Sequence, residues 1–385
     1  MPGPEFEILL QSVRFDDPYA ALRAAEVIDR KNIDWVKLLD SAEVHCIRPQ
    51  LEGLLSSIPA EPVPGHIMEA LGTAKRENLL RQMRDMAEFL SIKMILDESG
   101  ITAIPFKGFW LAEKMYGNIA AREANDLDLF IDINDLEKVK AIMKGRGFVN
   151  TSFINRLKDD YVAKELCEYN FGKYDGDVCV HHFEFHWRSS QAFFRMNITL
   201  DDLRSQIATG RIEGNELQVF TPAANLLLAV MHHGGKEQYA VLKQLLDIAR
   251  IIKNPEEIDW QWLLREAGRF NLVTVLMTGI RMAGILTGVR VPPAAEEAVR
   301  SRKVISLSEE RLRKMSMPVS YRSGFRFEAG GWLFRIRSRE GVMLKLHLSR
   351  HFVRKVLLPG LVPERYHHLF YNKKIRKEGL AADAI

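Results

Sequence analysis

The sequence predicts an α+β protein, with a small mixed sheet flanked by N-terminal and C-terminal helical regions. Three observations carry that prediction. Apolar residues recur at helical spacing through the first hundred positions, two central segments alternate apolar and polar residues with the period of a strand, and helical spacing returns from Pro222. The divisions read as a helical region over 1–99, an α/β core over 100–220, a helical domain over 221–300 and a basic C-terminal region over 301–385.

In the first region, "FDDPYAALRAAEVIDRK" places Asp17 as N-cap, with Pro18 at the first helical position. "IDWVKLLDSAEVHCIRPQLEGLLSSI" continues with helical spacing, and "PAEPVPG" interrupts before a long run from His66 to Ser99. Leu79, Met83, Met86 and Leu90 form a stripe along that run, the pattern of a core face, and Gly100 stands where a helix ends. "IDWVKLLDSAEVH" is echoed by "IDWQWLLREAGRF" from Ile258. Two copies do not make a solenoid; each reads as a helix start capped by its Asp.

The pattern changes at Ile101. "ITAIPF" is a short apolar strand, Lys107-Gly108 a turn, "FWLAEKMY" a helix and "DLDLFIDI" an alternating strand. Asn134 caps a helix through "DLEKVKAIMKGRG", terminated by Gly147. After a poorly patterned stretch, "DVCVHHFEFHW" alternates again, so a sheet with helices on one side is expected. Beyond Pro222, "AANLLLAVMHHGG", "YAVLKQLLDIARIIK", "WQWLLREAGRF" and "LVTVLMTGIRMAGIL" are helical, with His232 and His233 closing the first before Gly234-Gly235.

A chain of 385 residues has room for two to three domains, and 47% hydrophobic with 27% charged residues is a globular composition. The longest apolar run, "LLLAVM", is far short of the roughly 20 residues that span a bilayer. "MPGPEFEILLQSVRF" lacks the basic and apolar regions of a signal peptide. Cys46, Cys167 and Cys179, odd in number and without CxxC spacing, suit a reducing cytoplasm and argue against a disulfide framework or a zinc site. Net charge is +4, but residues 301–385 hold 19 Lys/Arg against 7 Asp/Glu, a surplus of 12. Basic residues interleaved with aromatics there ("YRSGFRFEAGGWLFRIRSR", "RYHHLFYNKKIRK") suit an RNA, an acidic peptide or lipid headgroups, or aromatics packed in a core.

Residues two apart on a strand face the same way. "NDLDLF" therefore puts Asp126 and Asp128 on one face and Leu127 and Leu129 on the other, and "CVHHFEFHW" groups His182, Glu184 and His186 opposite Phe183 and Phe185. If the two strands are neighbours, three carboxylates converge. Their mutual repulsion raises their pKa values unless divalent cations neutralise it, and oxygen-only ligation is what Mg²⁺ or Mn²⁺ takes, completed by water and phosphate oxygens. Lys107-Gly108 ahead of a helix, with Arg122, would supply backbone N–H groups and positive charge to a triphosphate. A lone D-x-D or K-G says little, but the order turn, helix, D-x-D strand, helix, acidic strand is more specific. A competing reading makes His182, Glu184 and His186 a zinc or iron set. The chain has no HExxH or cupin-like spacing, and histidines beside Trp187 are more often packed or hydrogen-bonded.

Through "DWVKLLDSAEVH", "PFKGFWLAEKMYG", "REANDLDLFIDINDLEKV", "FEFHW" and "HHGGKEQYAVLKQLLDIARII", the chain resembles a nucleotidyltransferase of the DNA polymerase β superfamily. More narrowly, from about Asp34 to Pro292, it resembles a bacterial family of uncharacterised nucleotidyltransferases often encoded near natural-product or polysaccharide genes. The resemblance implies that Asp126 and Asp128 are the metal-binding pair and Glu184 the third catalytic carboxylate. Lys107-Gly108 stands where the superfamily usually has Gly-Ser or Gly-Gly, so the Ser that touches the triphosphate in many relatives is missing. Lys243 and Asp247 match a phosphate-contacting lysine and an acid of the helical domain; an i,i+4 ion pair explains them as well. The implied reaction moves a nucleoside monophosphate from an NTP, with Mg²⁺, to a hydroxyl of an unknown acceptor, a small molecule or peptide rather than RNA. Glycosyl transfer from a nucleotide sugar on the same fold, and a non-catalytic NTP-binding or toxin–antitoxin module, are the two alternatives. The oligomeric state is not legible.

Overall fold

Asp34 accepts from the Lys37 backbone N–H at 3.0 Å and Asp259 from the Trp262 N–H at 2.9 Å. Both I-D-W segments thus open helices capped by their Asp, as the sequence predicts. The computed structural model describes residues 3–58, 63–151, 159–317 and 325–354. Its first region holds α1 (Pro4–Ser12), α2 (Ala20–Arg30), α3 (Trp35–Val44), α4 (Arg48–Ser56) and α5 (Gly65–Glu98). α2 begins later than expected. Asp17 accepts from the Tyr19 N–H two residues on, at 3.0 Å, which closes a local turn in place of a helix cap.

α5 has 34 residues, about 50 Å at the rise of an α-helix. It ends where expected, with Gly100 at φ +70° and the Ile101 N–H bonded to Leu96 O at 2.8 Å. The expected stripe is met in part: Met86 and Leu90 pack against the core under the sheet, but Met83 is 47% exposed, while Asn78, Gln82, Asp85 and Phe89 are buried. Ile67 and Leu71 at one end enter the helical core, and Phe89, Ile92 and Leu96 at the other pack under the sheet. The polar residues lie between these two apolar anchors.

The sheet contains β1 (Ile104–Pro105), β2 (Leu127–Phe130), β3 (Val149–Asn150), β4 (Glu168–Asp175) and β5 (Val178–His186), in the order β1-β2-β5-β4-β3. β2 and β5 run parallel; the other pairs are antiparallel. Between β1 and β2, α6 (Gly108–Leu111) runs into a π-helical turn over Ala112–Tyr116. α7 (Leu136–Gly145) follows a 3₁₀ turn that is capped by Asp132 and not by Asn134; the Asp132 carboxylate accepts from the Asn134 N–H at 2.8 Å. Gly147, at φ +83°, ends the helix as expected. α8 (Asp159–Glu165) precedes β4, and α9 (Leu200–Leu203) precedes a separate hairpin of β6 (Ile207–Ile212) and β7 (Asn215–Phe220).

The helical remainder is α10 (Pro222–Ala229), a π-helical stretch over Val230–Lys236, α11 (Leu242–Ile251), α12 (Trp260–Arg269), α13 (Val273–Thr287), α14 (Arg302–Met315), α15 (Phe325–Ser338) and α16 (Val342–Phe352). α10 to α14 share one apolar core with α1 to α4, and a second core lies between the sheet, α5 and α7. Part of the basic region is interior. Arg339 is 1% exposed and donates to the carbonyls of Phe270 at 2.7 Å and Asn271 at 2.9 Å, and Phe334 is fully buried. "RYHHLFYNKKIRK" lies outside the described residues. Among the described residues, no helix is long and apolar enough to cross a membrane.

Candidate active site

A buried loop must find partners for its backbone groups. The loop before β2 finds them on the polar stripe of α5. Asn78 donates to Ala120 O at 3.2 Å and Arg122 O at 3.0 Å and accepts from the Ala124 N–H at 3.2 Å, while Gln82 donates to Arg122 O at 2.8 Å. The loop so held delivers Asp126 and Asp128 to the sheet. Gly108 sits beside it at φ +59°, where a Cβ would meet Leu127 Cδ1 at 3.2 Å and Asp126 O at 3.4 Å. In this structure the glycine makes room for β2.

The two acidic strands are neighbours, with Asp128 directly opposite Glu184. Candidate ligand atoms of Asp126, His182 and Glu184 lie within 4.8 Å of one another, as do those of Asp128, Glu184 and His186. Leu127, Leu129, Phe183 and Phe185 are buried on the opposite faces. Glu168 of β4 joins the group from the far side, its carboxylate 3.3 Å from His186 Nδ1.

Two cations already stand among these acids. Lys107 Nζ lies 2.8 Å from Asp128 Oδ1, and His186 Nε2 lies 2.9 Å from the same oxygen and 3.3 Å from Glu184 Oε2. Burial works against the charge on His186, but the Asp128 hydrogen bond and its other partners hold its pKa well above the usual histidine value. Carboxylates stand at both ring nitrogens of His186, which favours its charged form and weighs against the zinc or iron reading of His182, Glu184 and His186. Burial likewise opposes the charges on Asp128 and Lys107, yet Lys107 and His186 hold Asp128 well below the carboxylate range, and Asp128 followed by Asp126 holds Lys107 above the usual lysine value. Asp126 goes the other way: burial, then the charges of Asp128 and Glu184, push it up to about 6. Four carboxylates face two cations, and the excess is felt at Asp126. Asp126, Glu184 and the second oxygen of Asp128 form an oxygen donor set with surplus negative charge, which fits a hard divalent cation.

Lys107, Asp126, Asp128, Glu168 and Glu184 line a cavity of about 520 Å³ whose other wall includes His232, His233, Lys236, Glu237, Lys243 and Gln244. Arg122 lines it too, but its fork is taken by Asp247, through Nε at 2.8 Å and Nη2 at 2.9 Å. Asp247 also accepts from Tyr116 at 2.6 Å and approaches His233 Nε2 at 3.1 Å. The expected i,i+4 alternative of Lys243 with Asp247 is therefore replaced by a longer-range pair. Lys243 donates instead to Glu123 O at 3.2 Å. His232 and His233 do not close a helix; they lie inside the π-helical stretch that continues α10.

Sequence reasoning missed Glu168, Lys236 and Glu237. A signal for β4, and so for Glu168, was present: β4 and β5 are joined by the two-residue turn Gly176-Asp177, with Gly176 at φ +57°. Lys236 and Glu237 end "HHGGKE", a run dense in titratable groups.

The family described as Uncharacterised nucleotidyltransferase matches residues 31–288. The chain belongs to this family. Every cavity residue, from Cys46 to Gln244, falls within the matched segment. Comparison with curated proteins and with solved structures found no match.

Proposed function

We propose that this nucleotidyltransferase moves a nucleoside monophosphate from an NTP to a hydroxyl of a small-molecule or peptide acceptor in a cytoplasmic biosynthetic pathway for a natural product or polysaccharide. The observation that carries the reading is the parallel pairing of β2 with β5. It gathers Asp126, Asp128 and Glu184 on one side of a cavity that also exposes Lys107, Lys236 and Lys243. At about 520 Å³ the cavity lies within the range of small-ligand sites, and three free cysteines suit a reducing compartment.

Asp126, Asp128 and Glu184 would hold Mg²⁺ or Mn²⁺, which when bound neutralises phosphate charge and orients the triphosphate. Lys107, Lys236 and Lys243 meet the charge of the β- and γ-phosphates and of the departing pyrophosphate. Glu184 draws the proton from the acceptor hydroxyl. The hydroxyl oxygen forms a bond to the α-phosphorus as the bond to pyrophosphate breaks, in line. Arg122 acts from behind by holding Asp247, and Gly108 by letting β2 approach.

The test uses α-labelled NTPs with a panel of acceptors and compares wild type with Asp126→Ala/Asp128→Ala. Label transfer by wild type that the double variant abolishes supports the reading; transfer by the double variant defeats it. UDP-sugars run in parallel: an added hexose, with no added nucleoside monophosphate, would replace this reaction with glycosyl transfer.

A further inference from the structure

The helical wall of the cavity carries a cluster that nucleotidyl transfer does not use. A π-helix repeats at i,i+5, and here the Glu237 N–H bonds to His232 O at 3.0 Å. That repeat brings Glu237 back over His232. His232 Nδ1 and His233 Nδ1 lie 3.3 Å apart, and Glu237 Oε2 is 3.4 Å from the first and 3.9 Å from the second. Ligand atoms around a tetrahedral Zn²⁺ with bonds of about 2.0–2.1 Å are separated by roughly 3.3–3.4 Å. Two of the three edges have that length and the third is somewhat longer.

The surroundings suit the same use. His233 Nε2 is turned to Asp247 Oδ2 at 3.1 Å, and Arg122 fixes that carboxylate with two hydrogen bonds. A carboxylate on the far nitrogen is what orients metal-binding histidines; it assigns the proton to Nε2 and leaves Nδ1 a lone pair. Lys107 and Lys236 weigh against another cation here, while Glu237 and Asp247 weigh for one. The backbone that follows the histidines is tightly packed: a Cβ at Gly234 would meet Tyr239 at 2.5 Å, and one at Gly235 would collide with Met196. His232 and Glu237 both line the cavity.

We propose that His232, His233 and Glu237 form a second metal site, selective for a borderline transition-metal dication such as Zn²⁺ or Co²⁺, with a coordination position open to the cavity. Its imidazole nitrogens distinguish it from the oxygen donors around Asp126, which suit Mg²⁺. The site stands on its own geometry, whatever reaction the cavity performs.

The test strips the full-length chain with a chelator and titrates it with Co²⁺ in excess Mg²⁺, reading visible d–d absorption and bound metal per chain. One equivalent with the absorption of a tetrahedral nitrogen and oxygen site is expected. It should persist in Asp126→Asn/Asp128→Asn, vanish in His232→Ala, and weaken by roughly tenfold or more in Glu237→Gln. Glu237→Gln keeps the side-chain shape, so the test survives if His232→Ala fails to fold. Failure of wild type to bind one equivalent, or binding that His232→Ala keeps and Asp126→Asn/Asp128→Asn loses, overturns the proposal.

Discussion

Arg122→Met should destabilise the chain by about 3 kcal/mol and Asp247→Leu by about 5, whereas the double variant should lie within about 2 kcal/mol of wild type. The side chains of this pair are 3% and 0% exposed, so either change strands a charge that water cannot reach. The two losses differ because the partners are unequally supported. Without Arg122, Asp247 keeps Tyr116 at 2.6 Å and His233 at 3.1 Å. Without Asp247, the guanidinium loses both hydrogen bonds of its fork. Removing both charges deletes the desolvation cost with the attraction, leaving mainly the lost bonds to Tyr116 and His233. Arg122→Lys should also lose stability, because an ammonium cannot reproduce the planar two-point contact. Urea unfolding, followed by the fluorescence of the six tryptophans and extrapolated linearly to water, measures the four variants against wild type. An Arg122→Met variant as stable as wild type, or a double variant worse than both singles, would refute the claim that this pair is dry and mutually dependent.

Acid should erase part of the same contribution. Burial opposes ionisation of Asp247, but Arg122 and its hydrogen bonds hold the folded carboxyl below its ordinary value of 3.8. A depressed folded pKa gives stability that is complete above the unfolded value and fades as pH falls beneath it. The melting-temperature gap between wild type and Asp247→Asn should therefore narrow below about pH 4; a constant gap down to pH 3 would count against it. Lys107→Met leaves Asp128 with His186 alone and should cost roughly 3 kcal/mol without metal. Mg²⁺ should then raise the melting temperature of Lys107→Met more than that of wild type, and equal shifts would show that Lys107 is not the counter-charge. Asp34→Ala and Asp259→Ala should each cost about 1 kcal/mol in the same urea assay, and an unchanged midpoint in either would remove its cap from the account.

How much was legible depended on the range of the interaction. Asp126 and Asp128 share a face because strand alternation operates over two residues. Asp34 and Asp259 cap helices because an N-cap bond reaches only three. β4 was missed because "EYNFGKYD" mixes polar and apolar residues near a sheet edge, although a glycine turn followed it. The stripe chosen on α5 was only half right, for a deeper reason. Binary pattern assigns polar residues to water, whereas Asn78, Gln82 and Asp85 are buried, and Asn78 and Gln82 satisfy a loop that no local rule could place beside them.

By itself, the sequence determined the α+β class, the alternation that exposes the acids together, the Asp34 and Asp259 caps and the family. Only the tertiary structure decided that Asp247 meets Arg122, 125 residues away, and not Lys243 four residues before it. It also decided that Lys107 rests on Asp128, and that two histidines and a glutamate turn toward one point. Local geometry chooses which side chains share a face. Strong charge pairing requires the exclusion of water, and that is a property of how the sheet, the π-helical stretch and α11 pack around one cavity.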